Sequence, residues 1–400
     1  MSRSSLRILF VTPYVPSTVR IRPLAFIREL ARQGHQVTLA CLVQPDWEAA
    51  YLSEVALYCQ AVHPVYLRRF ESYVHSLASL PTRVPLSVVY CRSGEFDQLV
   101  RRLVHAGDFD LTHTEFVRAA LVTAHLNNLP KVFDAVDSLT LTYRRSLTAA
   151  HVSPKQRLIS LIEWLKMRGF EPWVLQRFDS ILASSPADQQ ALQRENVHVD
   201  VIPNGVDIVY FAFHEGSRDD ATIVFLGKMS YYVNVASVLW FYRQVLPLVR
   251  CQRPEVKFKI IGRNPVPAIT ALNADPAVEV TGTVPDVRPF LAQATLAVCP
   301  MVTGAGIQNK MLEAMAMGTP CIATSLACQA LQVQCGYEVM IADTAEAFAA
   351  AVCELLDNPD RRRQLAEQGR RYVEHHHVWE RIGDQLNQVY DDLLNPEKEL

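Results

Sequence analysis

Short runs of apolar, mostly β-branched residues alternate along the chain with segments whose apolar positions recur at helical spacing. This alternation is typical of parallel sheets flanked by helices. In the first half we expect strands at 7–12, 36–42, 111–113, 131–136 and 180–184, and helices at 21–33, 95–105, 155–177 and 186–195. After residue 220 we expect strands at 221–227, 257–262, 278–282, 296–300, 321–324 and 338–342, and helices at 234–249, 307–317, 344–356 and 359–373.

The segment "VIPNGVDIVYFAFHEGSRDD" (201–220) separates the two series. Its Pro-Asn-Gly and its polar, Gly-bearing end are turn and linker chemistry. A chain of 400 residues is long enough for two cores. We therefore predict an α/β protein with an N-terminal domain at 1–205 and a C-terminal domain at 206–378. The last helix, 379–394, carries Trp379 and Tyr390, with which it can pack back on the first domain.

Composition narrows the class of protein. Half of the residues are hydrophobic, a fifth are charged and the net charge is −2, so a disordered or nucleic-acid-binding chain is not indicated. The nine cysteines are scattered without a CxxC pair, which favours reduced thiols over a disulfide framework or zinc site. We expect no signal peptide and no membrane span, hence a cytoplasmic protein. Peripheral contact with the inner face of the plasma membrane stays open.

The segment "TGAGIQNKMLEAMAMGTPCIAT" (303–324) carries the clearest chemistry. Glu313 lies among apolar neighbours, where a carboxylate without a partner costs several kcal/mol. It therefore has a partner or binds a ligand. Gly304 and Gly306 allow close backbone approach to a ligand, and the helix N-terminus behind them suits phosphate or sugar hydroxyls. Alternatively, Lys310 pairs with Glu313 and the glycines only turn the chain.

These segments resemble a known family. "GAGIQNKMLEAMAMGTPCIAT", "VIPNGVDIVYF", "LASSPADQQAL" and "LARQGHQV" together are similar to the family 4 retaining glycosyltransferases of the GT-B fold. "FLGKMSYYVNVASVLWFYRQVLPLV", "IIGRNP" and "VTGTVPDVRPFLAQA" resemble the subgroup associated with exopolysaccharide synthesis. The resemblance implies two Rossmann-like domains whose parallel sheets face each other across a cleft. It also implies a nucleotide-sugar donor in the C-terminal domain and a glycan or lipid-linked glycan acceptor in the N-terminal one.

The family motif has two glutamates separated by seven residues. The second matches Glu313, which is expected on the ribose hydroxyls of the nucleotide. The first, which contacts the transferred sugar, falls at Ala305. We therefore expect other donor-binding groups to hold the sugar, namely the backbone around Gly304, Ala305, Gly306 and Ile307 together with Gln308 or Asn309.

The family also has a basic pair after the first strand of the C-terminal domain. The first member matches Lys228, which follows Gly227, and the second falls near the uncharged Asn234. The resemblance makes Lys228 a catalytic residue that stabilises the departing diphosphate. Lys310 and Arg263 are the nearest replacements for the missing charge, although Arg263 is equally well explained as a solvated loop residue.

The N-terminal domain departs from the family pattern at the loop after its first strand. The loop "TPYVPSTVRIRP" lacks the usual paired glycines and carries Arg20 and Arg22 at the start of the next helix. These arginines either meet a donor phosphate or an anionic acceptor, or they are ordinary exposed charges.

A family histidine at the end of a middle strand points at the donor sugar. Here that strand is "KVFDAVDSLT", which offers Asp134 and Asp137 as catalytic candidates without fixing which one applies. Asp137 alternatively caps the following helix. His113 and Glu115, at the end of the preceding strand, are acceptor-side or structural residues.

The reaction implied is transfer of a hexosyl-like sugar with retention, through same-face attack by the acceptor hydroxyl. The nucleotide-sugar is a substrate, and neither a cofactor nor a metal is expected. Two alternatives stay open: an epimerase or hydrolase of the same fold acting through Asp134, Asp137 or His113, and a non-catalytic scaffold that binds the nucleotide-sugar. The absence of GxGxxG argues against a dinucleotide enzyme, and we interpret the "HHH" at 375–377 as a surface feature.

Residues 63–90 mix aromatic side chains with Arg68, Arg69 and Arg83. This composition fits contact with a lipid-linked sugar at the membrane face. It fits an ordinary packed helix and loop as well.

Overall fold

The two series of apolar runs form two parallel sheets, which confirms the predicted α/β class. The computed structural model describes residues 5–44, 46–148, 154–304 and 306–395. The chain divides into two units. Unit 1 comprises 5–147, 154–203 and 379–395, and unit 2 comprises residue 148 and 204–378.

The sheet of unit 1 has the strand order β3-β2-β1-β4-β5-β6-β7, with every pairing parallel. Its strands are β1 (Arg7–Thr12), β2 (Gln36–Val43), β3 (Ala61–Tyr66), β4 (Leu111–Glu115), β5 (Lys131–Val136), β6 (Ser180–Ala183) and β7 (Val199–Val201). The strand order reverses between β1 and β4, and ligands of such sheets bind beyond the carboxyl ends of the strands at that point.

The helices of unit 1 cover the faces of this sheet. They are α1 (Ile21–Arg32), α2 (Leu52–Ala56), α3 (Arg69–Ala78), α4 (Leu86–Tyr90), α5 (Gly94–Ala106), α6 (Ala120–Thr123), α7 (Leu139–Thr148), α8 (Pro154–Leu175) and α9 (Pro186–Leu192), with a 3-10 turn at Asp46–Tyr51. The sequence did not indicate the two edge strands. β3 contains His63 and Pro64 and is partly exposed, and β7 is only three residues long.

The sheet of unit 2 has the order β10-β9-β8-β11-β12-β13 and is also parallel. Its strands are β8 (Thr222–Leu226), β9 (Lys257–Ile261), β10 (Val278–Gly282), β11 (Leu296–Cys299), β12 (Cys321–Ala323) and β13 (Met340–Ile341). Its helices are α10 (Tyr232–Trp240), α11 (Leu246–Gln252), α12 (Pro267–Thr270), α13 (Arg288–Gln293), α14 (Asn309–Ala316), α15 (Ser325–Cys328), α16 (Ala345–Asp357) and α17 (Pro359–His376). A π-helical turn at Phe241–Val245 joins α10 to α11, and a 3-10 turn spans Ala271–Ala274.

The last helix, α18 (Trp379–Leu394), returns to unit 1 and packs on α1. The indole of Trp379 meets the ring of Phe26 edge-on at 6.1 Å. The Tyr390 side chain is fully buried. β1 lies within the hydrophobic core of unit 1 and β8 within that of unit 2, since nearly all of their side chains are buried.

Candidate functional site

The loop that follows β11 in unit 2 is built for close backbone approach. Gly304 and Gly306 have φ values of 116° and 75°, the left-handed region that glycine adopts without strain. A Cβ added to Gly304 would lie 2.8 Å from the terminal methyl of Met301. α14 then begins at Asn309, two residues later than the pattern predicted. Ala305, where the first family glutamate would fall, lies outside the described residues.

Lys310 points its ammonium group at a neutral partner. Its Nζ donates a hydrogen bond of 2.7 Å to Oδ1 of Asn234, and it lies 4.3 Å from the centre of the Phe225 ring. Burial lowers the pKa of Lys310, and the neighbouring Cys299 and Glu313 partly oppose that shift. The Lys310–Glu313 ion pair, which the sequence offered as the alternative to ligand binding, is absent from the described residues. The amide and the ring face that contact this amine are both uncharged, so neither of them supplies a counter-ion.

Asn234 connects this lysine to the loop after β8. Its Nδ2 donates a 3.0 Å hydrogen bond to the carbonyl of Lys228, while its Oδ1 accepts from Lys310. A Cβ on Gly227 would lie 2.6 Å from Nδ2 of Asn234, and a Cβ on Gly262 would lie 1.7 Å from the carbonyl oxygen of Gly227. Asn234 thus occupies the position of the missing basic residue, and its amide oxygen accepts a hydrogen bond from the Lys310 side chain.

Glu313 is partly exposed, one helical turn after Lys310. Within the described residues its carboxylate has neither a hydrogen-bond partner nor an ion pair. Burial raises its pKa to about 7, and Lys310 acts in the opposite direction. A carboxylate in this state is poised to accept hydrogen bonds from a ligand.

The other predicted donor-binding residues lie around α14 or at the ends of β8 and β9. Nε2 of Gln308 donates to the carbonyl of Gly306 at 3.2 Å, and Oδ1 of Asn309 accepts from Asn204 at 3.2 Å. Ile307 packs partly on the core. Lys228 is exposed and Arg263 is half-buried, and the Arg263 carbonyl accepts a hydrogen bond from the Met229 amide.

In unit 1, Asp134 and Arg22 form a buried ion pair. The guanidinium donates from Nε at 2.7 Å and from Nη2 at 3.1 Å to the two carboxylate oxygens. Arg22 also donates from Nη1 to the carbonyls of Ile202 and Pro203, at 2.9 and 3.2 Å. Both side chains are nearly or fully buried. The alternative that Arg22 is an ordinary exposed charge is wrong. Its guanidinium is buried and donates to the Asp134 carboxylate and to the carbonyls of Ile202 and Pro203.

His113 lies in the core of unit 1. Its ring stacks on Phe10 with centroids 4.3 Å apart, and its Nδ1 lies 2.7 Å from the Tyr390 hydroxyl. Burial lowers its pKa to about 4, so the imidazole is neutral at pH 7. Its Nε2 is 3.9 Å from Oδ2 of Asp134, too far for a hydrogen bond. Its full burial and its contacts with Phe10 and Tyr390 favour the structural one of the two predicted roles.

Glu115, at the end of β4, is a buried carboxylic acid. It accepts a 2.9 Å hydrogen bond from the Tyr14 hydroxyl on Oε1, while Oε2 has no partner among the described residues. Burial raises its pKa to about 8, with a further increase from Asp134. Arg20 is exposed and lies 4.5 Å from the centre of the Tyr14 ring. Of the predicted acceptor-side residues, Arg20 is therefore the one that solvent reaches.

Asp137 follows a strained strand end. Val136 has a φ of 64°, which is rare for a β-branched residue and costs free energy. Asp137 accepts a 3.0 Å hydrogen bond from the Ser184 hydroxyl, and burial together with Asp188 raises its pKa to about 6. It does not cap α7: Ser138 Oγ accepts from the Leu141 amide instead.

Sequence reasoning missed the residues that hold these groups in place. Tyr14 binds Glu115, Asn204 binds Asn309, and Glu171 accepts from the Leu139 amide at 2.8 Å. Each partner comes from a distant part of the chain, so no local pattern marks it.

The histidine run at 375–377 is only partly a surface feature. His375 and His376 are exposed, but His377 is buried, with Nδ1 2.7 Å from the carbonyl oxygen of Asn204. Burial lowers its pKa to about 4. Among the described residues no group of three or more His, Cys, Asp or Glu is arranged to hold a metal ion. None of the described helices has the length and apolar character needed to cross a membrane.

Comparison with known proteins matches both units to glycosyltransferase family models. Residues 23–210 match the family model described as Glycosyltransferase Family 4, and residues 220–358 match that described as Glycosyl transferases group 1. An uncharacterized 44.6 kDa protein of the cps region of Klebsiella pneumoniae is 19% identical over 346 residues, covering 84% of this chain and 86% of its own.

Solved structures share the fold. Anabaena HepE, in complex with UDP and glucose, superposes with a TM-score of 0.67 at 14% identity, over 96% of this chain and 99% of that one. Sucrose-phosphate synthase of Thermosynechococcus elongatus gives a TM-score of 0.68 at 16% identity, over 98% and 100%. These likenesses confirm the GT-B fold predicted from the sequence.

Proposed function

Since the chain belongs to the family 4 glycosyltransferases, we propose that it transfers a sugar from a nucleoside diphosphate donor to a saccharide or lipid-linked saccharide with retention. The product belongs to exopolysaccharide or another cell-surface glycan. The relative from the cps region of Klebsiella pneumoniae supports this role. The structures described as HepE with UDP and with UDP-glucose support a nucleotide-sugar donor.

One observation carries the proposal: Glu313 has no partner in the described residues, while Lys310, one turn away, binds the neutral Asn234 and not a carboxylate. A nucleoside diphosphate satisfies both groups. Its ribose offers vicinal hydroxyls that a carboxylate accepts, and its phosphates offer negative charge to the ammonium and to the N-terminus of α14.

The chemistry follows from where charge develops. When the glycosidic bond to the diphosphate breaks, negative charge grows on the leaving oxygen. Lys310, Lys228 and the loop around Gly304 supply fixed positive charge and backbone donors there. One such donor contributes about 3 kcal/mol to stabilisation of the transition state. The acceptor hydroxyl attacks the same face of the sugar, and the leaving phosphate takes its proton.

We assign acceptor binding to unit 1, with exposed Arg20 as the residue that meets an anionic acceptor. Because Asp134 is saturated by Arg22, Asp137 is the better candidate for stabilising the transferred sugar. The strained conformation of Val136 supports this choice, since backbone strain clusters at functional positions.

The test is release of nucleoside diphosphate from UDP-glucose and GDP-mannose by the full chain. Each donor is supplied with and without a lipid extract of an encapsulated bacterium as the acceptor source. We expect release that depends on the extract and a product whose one-bond C1–H1 coupling in NMR shows the same anomeric configuration as the donor.

Three outcomes contradict the proposal. Release at the same rate without the extract indicates a hydrolase, and conversion of the donor to another sugar nucleotide without release indicates an epimerase. Tight donor binding without any release in either condition indicates a scaffold.

A further inference from the structure

Helix α3 of unit 1 is amphipathic in the reverse sense. Its inward side is polar: Ser72 is buried and Ser76 is partly buried, and their hydroxyls donate to backbone carbonyls one turn earlier, at 3.3 and 2.8 Å. Its outward side is apolar, with exposed residues at the spacing of one helical face: Phe70, Tyr73, Val74 and Leu77. Phe70 and Leu77 are 79% and 68% exposed. A helix of a globular domain normally turns its apolar face inward.

Helix α8 exposes a second apolar stripe. Leu158, Leu161 and Leu165 recur at helical spacing and are exposed, and Leu158 is 60% accessible. The two helices meet at the end of α3, where Nζ of Lys166 donates to the carbonyls of Ser79 and Thr82, both at 2.7 Å. Leu80 follows Ser79 and is also exposed. We call the outward faces of α3 and α8, with the intervening loop 79–85, the apolar shelf.

The charges on the shelf are mostly positive. Around it, exposed basic side chains are Arg68, Arg69, Arg83, Lys155, Arg157 and Arg168. The acidic residues of α8, Glu163 and Glu171, are buried and bind groups of unit 1. On α3 the acidic residue is Glu71, which pairs with Arg68 at 3.2 Å. This surface is therefore basic, although the whole chain has a net charge of −2.

We propose that the apolar shelf docks on the surface of an anionic lipid bilayer. Exposed aromatic and leucine side chains bordered by arginine and lysine are the combination that inserts at the headgroup boundary and is attracted to anionic lipid. Docking on a bilayer explains the reversed polarity of α3, because the exposed apolar face of this helix does not pack on the core of unit 1. The inference goes beyond the proposed function and stands on these contacts alone.

The experiment is co-sedimentation of the full chain with vesicles of phosphatidylcholine alone or with one third phosphatidylglycerol. We expect binding to the anionic vesicles, weaker binding to phosphatidylcholine, and a decrease at high salt. The variant F70S/L77S removes two exposed apolar anchors and is expected to lower the partition coefficient about tenfold or more. Replacing Arg83 by glutamine is expected to lower it about fivefold.

Leu57→Ser is the matched control, because Leu57 is 78% exposed in unit 1 but lies outside the shelf. All of these side chains are solvent-exposed, so thermal melting is expected to be unchanged. Equal binding by F70S/L77S and the control, or equal binding to both vesicle types, would overturn the proposal. So would sedimentation velocity showing a dimer that F70S/L77S dissociates, since the shelf would then be covered by a second copy of the chain.

Discussion

Each unit brings a carboxylate and a basic side chain together near the carboxyl ends of its strands, but the two pairs are built differently. In unit 1, Arg22 binds both oxygens of Asp134 and two backbone carbonyls as well. In unit 2, Lys310 binds the neutral Asn234, and Glu313 has no partner among the described residues. The first pair is complete without a ligand, and the second is not.

The difference separates structural from functional charge. A buried charge that is saturated by protein donors stabilises the fold and has nothing left for a substrate. A charge that is held near its opposite without contacting it retains its electrostatic free energy for a ligand. Substitutions of the Arg22–Asp134 pair are therefore expected to affect folding, and those of Lys310 and Glu313 to affect binding and rate.

The largest effect is expected from breaking the saturated pair. Asp134→Ala removes the carboxylate that neutralises the buried Arg22 guanidinium, which costs about 3–5 kcal/mol of unfolding free energy. Urea denaturation measures this loss. Asp108→Ala is the control, because Asp108 pairs with Arg7 at the surface and its loss is expected to cost less than about 1 kcal/mol. Equal effects of the two substitutions would contradict the assignment of Asp134 to the fold.

The next effect is on the rate. Lys310→Met removes the charge that meets the leaving diphosphate and is expected to lower kcat about 100- to 1,000-fold. Since burial already disfavours the charged amine, we expect no loss of thermal stability. The control is Lys257→Met, at the exposed start of β9. If Lys310→Met lowered the thermal stability and left kcat unchanged, Lys310 would be a structural residue, contrary to this account.

A smaller effect concerns the pH dependence of unit 1. The pKa of Glu115 is raised to about 8 in the fold, so the folded state holds a proton that the unfolded state releases near pH 4.5. Stability from this group is therefore complete below pH 4.5 and decreases as the pH rises towards 8. Glu115→Gln is expected to remove about 1–2 kcal/mol of the decrease between pH 6 and 8. Parallel stability curves for both proteins would show that Glu115 is already ionised.

The smallest effect concerns nucleotide affinity. The Glu313 pKa of about 7 means that the accepting carboxylate forms as the pH rises through neutrality. Affinity for UDP is expected to rise about tenfold more in the wild type than in Glu313→Gln between pH 6 and 8. The phosphate of UDP titrates equally in both experiments, so the difference between the wild type and Glu313→Gln reports on Glu313 alone. Identical pH profiles would show that Glu313 does not contact the ligand.

The sequence predicted most of the fold because the apolar periodicity reflects burial. β1, β5 and β10 have the predicted bounds, and the other predicted strands differ by a few residues. The polar edge strand β3 and the reversed helix α3 were missed for the same reason. Their outward residues do not follow the rule that apolar side chains face a core.

Local motifs identified the residue types of the candidate site but not their partners. The sequence proposed Lys310 as a replacement for the charge missing at Asn234, and the contact between these two side chains supports that reasoning. His113 contacts Tyr390, 277 residues away, and no local pattern in the sequence predicts this long-range contact. The left-handed conformations of Val136 and Phe116 also have no sequence signal, since neither residue is glycine or asparagine.

The most direct test of the comparison is calorimetric titration of UDP, GDP, ADP, CMP and NAD into the wild type, Glu313→Ala and the control Glu354→Ala, which lies on the exposed side of α16. We predict micromolar binding of one nucleoside diphosphate, weakened about 30-fold, or about 2 kcal/mol, by Glu313→Ala and unchanged in the control. Binding that is insensitive to Glu313, or binding of NAD alone, would contradict the central claim that the unpartnered carboxylate waits for the ribose of a sugar donor.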